Sequence, residues 1–168
     1  MLDARTTALL DQEDSLVSTH IREHGWHITA VNLIACACCG EEPDDLSVGF
    51  AYTVGLFGLG HPELLIFSVP AETAAGVLNE LGERVRAGAN FLPGELLEFE
   101  TWPHRIVCEE VPNPGDIVFC ANRHYQRPSE VSVPVLQLTY DDKAGRFPWD
   151  VGYANAPELQ PRPGTFQA

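Results

Sequence analysis

The sequence predicts a single α+β domain, with a mixed or mostly antiparallel sheet and helices packed mainly on one side. Three observations predict it. Helical and strand-like patterns alternate irregularly, as helix, strands, helix, strands, short helix, strand, without the regular βαβ rhythm of a doubly wound fold. The chain has 168 residues, of which 45% are hydrophobic, the size and composition of one domain with its own core. No internal repeat and no linker divides it. Residues 1–153 therefore read as the domain, and residues 154–168 as a Pro-rich, irregular or weakly ordered tail.

The elements follow in order. Leu9, Leu16, Val17 and Ile21 recur at helical spacing over residues 9–24, and Gly25 stops that helix. Residues 26–35 are β-rich and loosely alternating, and residues 48–54 read as a second strand, so the pair predicts a long hairpin. Between them, Cys36 to Ser47 is a polar, acidic loop. Gly55 to Pro62 is a glycine-rich connection. Residues 63–69 are almost continuously apolar, which suits a central buried strand. Pro70 opens the strongest helix, 71–87, with Ala74, Ala75, Val77, Leu78, Leu81 and Val85 on one face. Residues 95–101 and 104–111 read as strands broken by Trp102-Pro103. Asp116 is placed to cap a short helix over 117–125, with Ile117, Cys120, Ala121 and His124 inward. A last strand covers 133–140, and Pro134 suggests that it starts at an edge.

Composition excludes several function classes. The formal net charge is −14, and no Lys or Arg occurs between Arg22 and Arg84. Such a surface repels phosphate backbones and anionic lipid, so neither nucleic acid nor membrane is an expected partner. No run of 18 apolar residues is present and the start lacks a signal-peptide pattern, so a reducing cytoplasm is the expected compartment. The five cysteines do not form a disulfide framework. The phosphate-loop, dinucleotide-turn, nucleophile-elbow, zinc-protease and paired CxxC patterns are all absent. No cofactor is predicted.

Five stretches concentrate chemistry-bearing residues. Tyr52, Thr53, His61 and Glu63 bracket the glycine-rich turn, and a histidine beside a carboxylate is an acid–base pair in the making. Trp102-Pro103-His104-Arg105 sets an aromatic ring, an imidazole and a guanidinium side by side, suited to an anion or an aromatic ligand. Gln137, Asp141 and Trp149 lie on the last strand and the turn after it. There, Phe147-Pro148-Trp149-Asp150 reads more readily as a clamp locking the tail than as a ligand contact. His20, His24 and His27 surround the end of the first helix, and the i, i+4 pair has metal-capable spacing. The competing reading of those histidines is packing and dipole capping. Cys36, Cys38 and Cys39 are soft ligands without a second knuckle, so buried or loop thiols are the plainer reading.

His24-Gly25-Trp26, Phe50-Ala51-Tyr52-Thr53-Val54-Gly55-Leu56, His61-Pro62-Glu63-Leu64, Leu136-Gln137-Leu138, Asp141 and Gly145-Arg146-Phe147-Pro148-Trp149 together resemble the bacterial family of unknown function DUF4262. The likeness spans roughly residues 20–152, most of the chain. It implies no reaction. The cysteine cluster departs from the family pattern.

Two functional readings follow. In the first, a small molecule binds or reacts near the glycine-rich turn, with Tyr52, Thr53, Trp102, Gln137, Asp141 and Trp149 as binding residues. His61 or His104 is then the general base, oriented by Glu63. In the second, the domain is a structural or interaction module of a bacterial regulatory or conflict system, meeting a basic protein partner. The sequence leaves oligomeric state open.

Overall fold

The computed structural model describes residues 2–33 and 48–168. The expected acidic loop, with Cys36, Cys38 and Cys39, lies outside them. Helix α1 (Ala4–His24) starts at Asp3, whose carboxylate accepts the Thr6 N–H at 2.9 Å. It ends at Gly25, which takes the left-handed conformation at φ 99° and donates to the Ile21 carbonyl. Its inward face differs from the predicted one. Val17 is buried, but Leu9 and Leu16 are 59% and 51% exposed. The shielded stripe instead runs through Leu10, Glu13, Asp14, Val17 and His20. Glu13 and Asp14 can sit there because Arg123 pairs with both, at 2.5 and 2.6 Å. Hydropathy spacing assigns charged positions to solvent and cannot anticipate a partner about 110 residues away.

Strands β1 (His27–Val31), β2 (Phe50–Val54) and β3 (Glu63–Phe67) form an antiparallel meander. Helix α2 (Ala71–Arg86) follows, then β4 (Leu96–Leu97) and β5 (Ile106–Glu110). After α3 (Phe119–His124), strand β6 (Val135–Tyr140) completes a mixed six-stranded sheet among the described residues. The order is β1-β2-β3-β6-β5-β4, with β3 and β6 parallel and every other pairing antiparallel.

β3 is buried along its whole length and is central, as its apolar run predicts. Three other expectations change. β6 does not start at an edge, because it lies between β3 and β5. Pro134 stands just before the ladder and contributes only its carbonyl, which accepts the Glu63 N–H at 2.9 Å, so the missing proline donor is not needed. The strand expected over 95–101 shrinks to Leu96–Leu97. Beyond it the Glu98 carbonyl is taken by Arg84 at 2.8 Å, and Phe99 and Trp102 pack edge to face on the core. Asp116 caps nothing: it closes a 3-10 turn over Pro114–Asp116, and α3 begins only after Val118.

The sheet carries a core on each face. α2 covers one with Ala74, Val77, Leu78, Leu81 and Val85 against Ala51, Leu64, Ile66, Leu136 and Leu138. Gly82 seats Trp26 here, since a Cβ at that glycine would fall 2.5 Å from the indole ring. α1 and α3 cover the other face through Val17, Cys120 and Ala121 against Phe50, Tyr52, Val54, Leu65 and Phe67. The C-terminal tail is irregular but fastened. Ser68 donates to the Leu159 carbonyl at 2.6 Å, Arg162 makes two bonds to Glu109, and Phe166 packs its ring against Phe50 and Phe67. No helix among the described residues is long and apolar enough to cross a membrane.

Candidate functional site

The sequence candidates separate onto the two ends of β6. Glu63 pairs with Val135 where β6 begins, and Asp141 follows Tyr140 where it ends. The strand's six residues put about 17 Å between those ends.

At the first end, Glu63 lies wholly buried beneath the glycine-rich turn. Its Oε1 accepts the N–H groups of Gly55 and Phe57 at 2.8 and 3.1 Å. Its Oε2 accepts the Thr53 hydroxyl at 2.6 Å and the Leu56 N–H at 3.2 Å. Thr53 in turn accepts the Leu64 N–H at 2.9 Å. Burial pushes the Glu63 carboxyl up to about 7, against the lowering effect of those donors. Gly55 must be glycine here: its φ is +133°, and a Cβ would meet the Gly25 carbonyl oxygen at 2.8 Å.

His61 is also buried, with both ring nitrogens engaged. Nδ1–H donates to the Pro62 carbonyl at 2.7 Å, and Nε2 accepts the Phe91 N–H at 3.0 Å. Burial holds its pKa below the usual histidine value. Glu63 bonds to the turn and not to His61, so the expected acid–base pair does not form. Tyr52 faces the opposite core, where its hydroxyl accepts the Cys120 N–H at 3.1 Å. These four residues are all buried, and their polar atoms bond inside the fold.

At the second end the chemistry is open. His104 stands between β4 and β5, beside the Trp102 and Tyr140 rings at 5.0 and 5.8 Å. Its Nδ1–H donates to the Asp141 carbonyl at 2.8 Å and to Oδ1 at 3.1 Å. Nε2 has no partner in this network, so it keeps a free lone pair in the neutral ring. Asp141 is anchored from three sides, since Arg105 also gives its backbone N–H to Oδ1 at 3.1 Å and Nε to Oδ2 at 2.9 Å. A second Arg105 nitrogen donates to the Gly145 carbonyl at 2.8 Å. Asp142 closes the turn by accepting the N–H groups of Ala144, Arg146 and Ala154.

Pro103, His104, Arg105, Asp141, Asp142, Lys143 and Gly145 line a cavity of about 320 Å³. Both carboxylates are occupied by donors from the protein. The groups left to meet a ligand are therefore the imidazole, the Arg105 guanidinium edge and Lys143, the chain's sole lysine. The two cations and two carboxylates of the lining cancel formally, so within a domain of net charge −14 this is a locally neutral spot.

The sequence grouped His104 with Glu63 and treated Asp141 as a separate binding residue, whereas the carboxylate that orients His104 is Asp141. The signal that could have joined them is antiparallel register, because Ile106 pairs with Tyr140 and so sets the residues flanking that pair side by side. Arg105 lines the cleft beside His104, as its stretch suggests, and Lys143 belongs to the site although the sequence does not assign it there. Trp102 supports His104 from the side. Gln137 and Trp149 hold the tail instead. Gln137 Nε2 donates to the Pro161 carbonyl at 2.8 Å, and Trp149, stacked on Phe147, lies beneath the Arg162 guanidinium at 5.0 Å.

His20 and His27 meet at the opposite sheet edge with His24 standing off, and no group of three or more His, Cys, Asp or Glu side chains takes a metal-holding arrangement among the described residues. Compared with known proteins, residues 20–154 match the family model for a domain of unknown function, DUF4262. No curated protein and no solved structure matches.

Proposed function

Because the chain belongs to the DUF4262 family, whose description carries no activity, we propose from the geometry that the domain binds a small anionic molecule in the His104 cleft. His104 is the acid–base group there, and Lys143 and the unpaired edge of Arg105 are the charged donors that would meet the anion. One observation carries the reading: Asp141 fixes Nδ1 of His104, and Nε2 has no partner among the described residues. That is the arrangement a general base needs, since a carboxylate on one nitrogen sets the tautomer and orientation of the other. The cleft replaces the glycine-rich turn as the place where this chemistry is sought, because the turn's polar atoms are already bonded.

The test uses inorganic phosphate and acetate as minimal anions, added to the isotope-labelled chain. Saturable shifts of the His104 ring nitrogens are expected, weakened by Lys143→Ala, which touches only an exposed side chain. If His104 does not respond to either anion at tens of millimolar, about the weakest affinity such a site would show, the reading is lost.

The acid surplus supports a second reading, an interaction module for a basic protein. Salt-sensitive binding of a lysine-rich peptide, with His104 unmoved by phosphate, would favour it instead.

A further inference from the structure

At the sheet edge formed by β1, His20 near the end of α1 and His27 at the start of β1 face one another. Their Nδ1 atoms are 2.8 Å apart and their rings 5.0 Å apart. Two neutral imidazoles can meet in this way only if one supplies the Nδ1 proton and the other a lone pair. Both side chains are half-buried and line a concavity of about 510 Å³, together with Glu23, His24, Asn79, Glu83 and Arg86.

Three further features give this cavity a cation's environment. The C-terminal ends of α1 and α2 converge on it, each carrying the negative pole of its helix. Glu23 and Glu83 stand on its wall against one guanidinium, that of Arg86. Arg86 is itself occupied, because it donates to the His24 carbonyl, pairs with Glu83 at 3.4 Å and stacks over Trp26.

We propose that His20 and His27 form a two-imidazole site for a borderline divalent transition ion such as Zn²⁺ or Ni²⁺, with its remaining positions open to water or an external ligand. Two zinc–nitrogen bonds of about 2.05 Å at a tetrahedral angle place the nitrogens about 3.3 Å apart, so the nitrogens would separate by roughly half an ångström and each ring, now facing the other head-on, would turn by about 35° to aim its lone pair at the ion. The ion would take the place of the shared Nδ1 proton, which moves to Nε2 of the ring that carried it, so that both ligands remain neutral imidazoles. His24, one turn beyond His20, has its ring 6.0 Å away and exposed, so it does not converge on the pair in this conformation.

The experiment is calorimetric titration of the full chain with Zn²⁺ at pH 7.5, repeated on His20→Ala and His27→Ala. One equivalent should bind, and each variant should weaken binding roughly tenfold or more, at least the loss seen when a ligand's outer support is removed. Should the variants unfold, long-range nitrogen spectra of the unaltered protein answer the same question, because the Nδ1 signals of both histidines must move as zinc is added. Substitution with Co²⁺ separates the imidazoles from the cysteines. A spectrum without thiolate charge-transfer bands supports the site. A thiolate band, unmoved Nδ1 signals or the absence of any saturable heat overturns it.

Discussion

Glu63 and Asp141 are two buried carboxylates beside opposite ends of β6, each gripped by several donors. The difference lies in who donates. Glu63 is held by three backbone N–H groups and a buried hydroxyl. None of these can present anything outward, so the cluster shapes a turn and ends there. Asp141 is held by His104 and Arg105, whose side chains remain 22% and 38% exposed. The same carboxylate chemistry therefore fixes a backbone in one place and orients reactive side chains in the other. The histidines repeat the contrast, since His61 has both nitrogens bonded and His104 one.

The largest effect should come from removing the closed carboxylate. Glu63→Ala strands the N–H groups of Gly55, Leu56 and Phe57 beneath the turn, and a loss of about 3–5 kcal/mol is expected in denaturant unfolding. A loss below about 1 kcal/mol, the worth of one ordinary hydrogen bond, would mean that the turn holds itself.

Next is the pH dependence of that carboxyl. Its folded pKa, about 7, lies above the ordinary value of 4.5. The folded state then holds a proton that the unfolded state has released. Stability from this group is full below pH 4.5 and is lost as pH rises through 7, about 3 kcal/mol in all. His27 and His61, with depressed values, act in the other direction up to their unfolded pKa of 6.5. The measurement is therefore a difference. Unfolding free energies of the natural chain relative to Glu63→Gln, taken from pH 4.5 to 8, should decline with pH, and a flat difference would remove the raised pKa.

How much of this was legible follows from range. Capping by Gly25, the amphipathic α2 and the apolar β3 are local patterns, and each stands where spacing puts it. The sequence puts the glycine-rich turn first among places for a site, but glycine density does not reveal whether a turn surrounds a ligand or a side chain of its own. Glu63 decides that, through bonds to residues six to ten positions away. The His104–Asp141 pairing spans 37 positions, and it becomes visible only once β5 and β6 are known to be neighbours. Pro134 misled for a related reason, since a proline just outside a ladder and one inside an edge strand look alike in sequence.

At the open end, Asp141→Asn should cost about 2 kcal/mol, the range for hydrogen bonds to a charged group. It replaces an acceptor of His104 and Arg105 with an amide that can satisfy only some of them. Its more telling signature is the His104 ring, which should lose its fixed tautomer in nitrogen spectra. A ring that keeps Nδ1 protonated would show that the backbone carbonyl of Asp141 orients it alone.

The smallest stability effect should accompany the largest loss of chemistry. His104 is partly exposed and contributes one shared donor, so His104→Gln is expected to change the unfolding free energy by less than about 1 kcal/mol. Glutamine can keep a donor toward Asp141 but has no titrating nitrogen, so the variant should fold normally and lose any proton transfer at the cleft. His61→Gln is the matching change at the closed end. It disturbs two internal bonds and one packed ring contact with Phe91, and should destabilise more while leaving cleft chemistry intact. Unfolding curves of the two variants, set beside phosphate titration of each, test the division between ends directly. If His61→Gln abolished the anion response and His104→Gln did not, the functional end of the sheet would have to be reassigned.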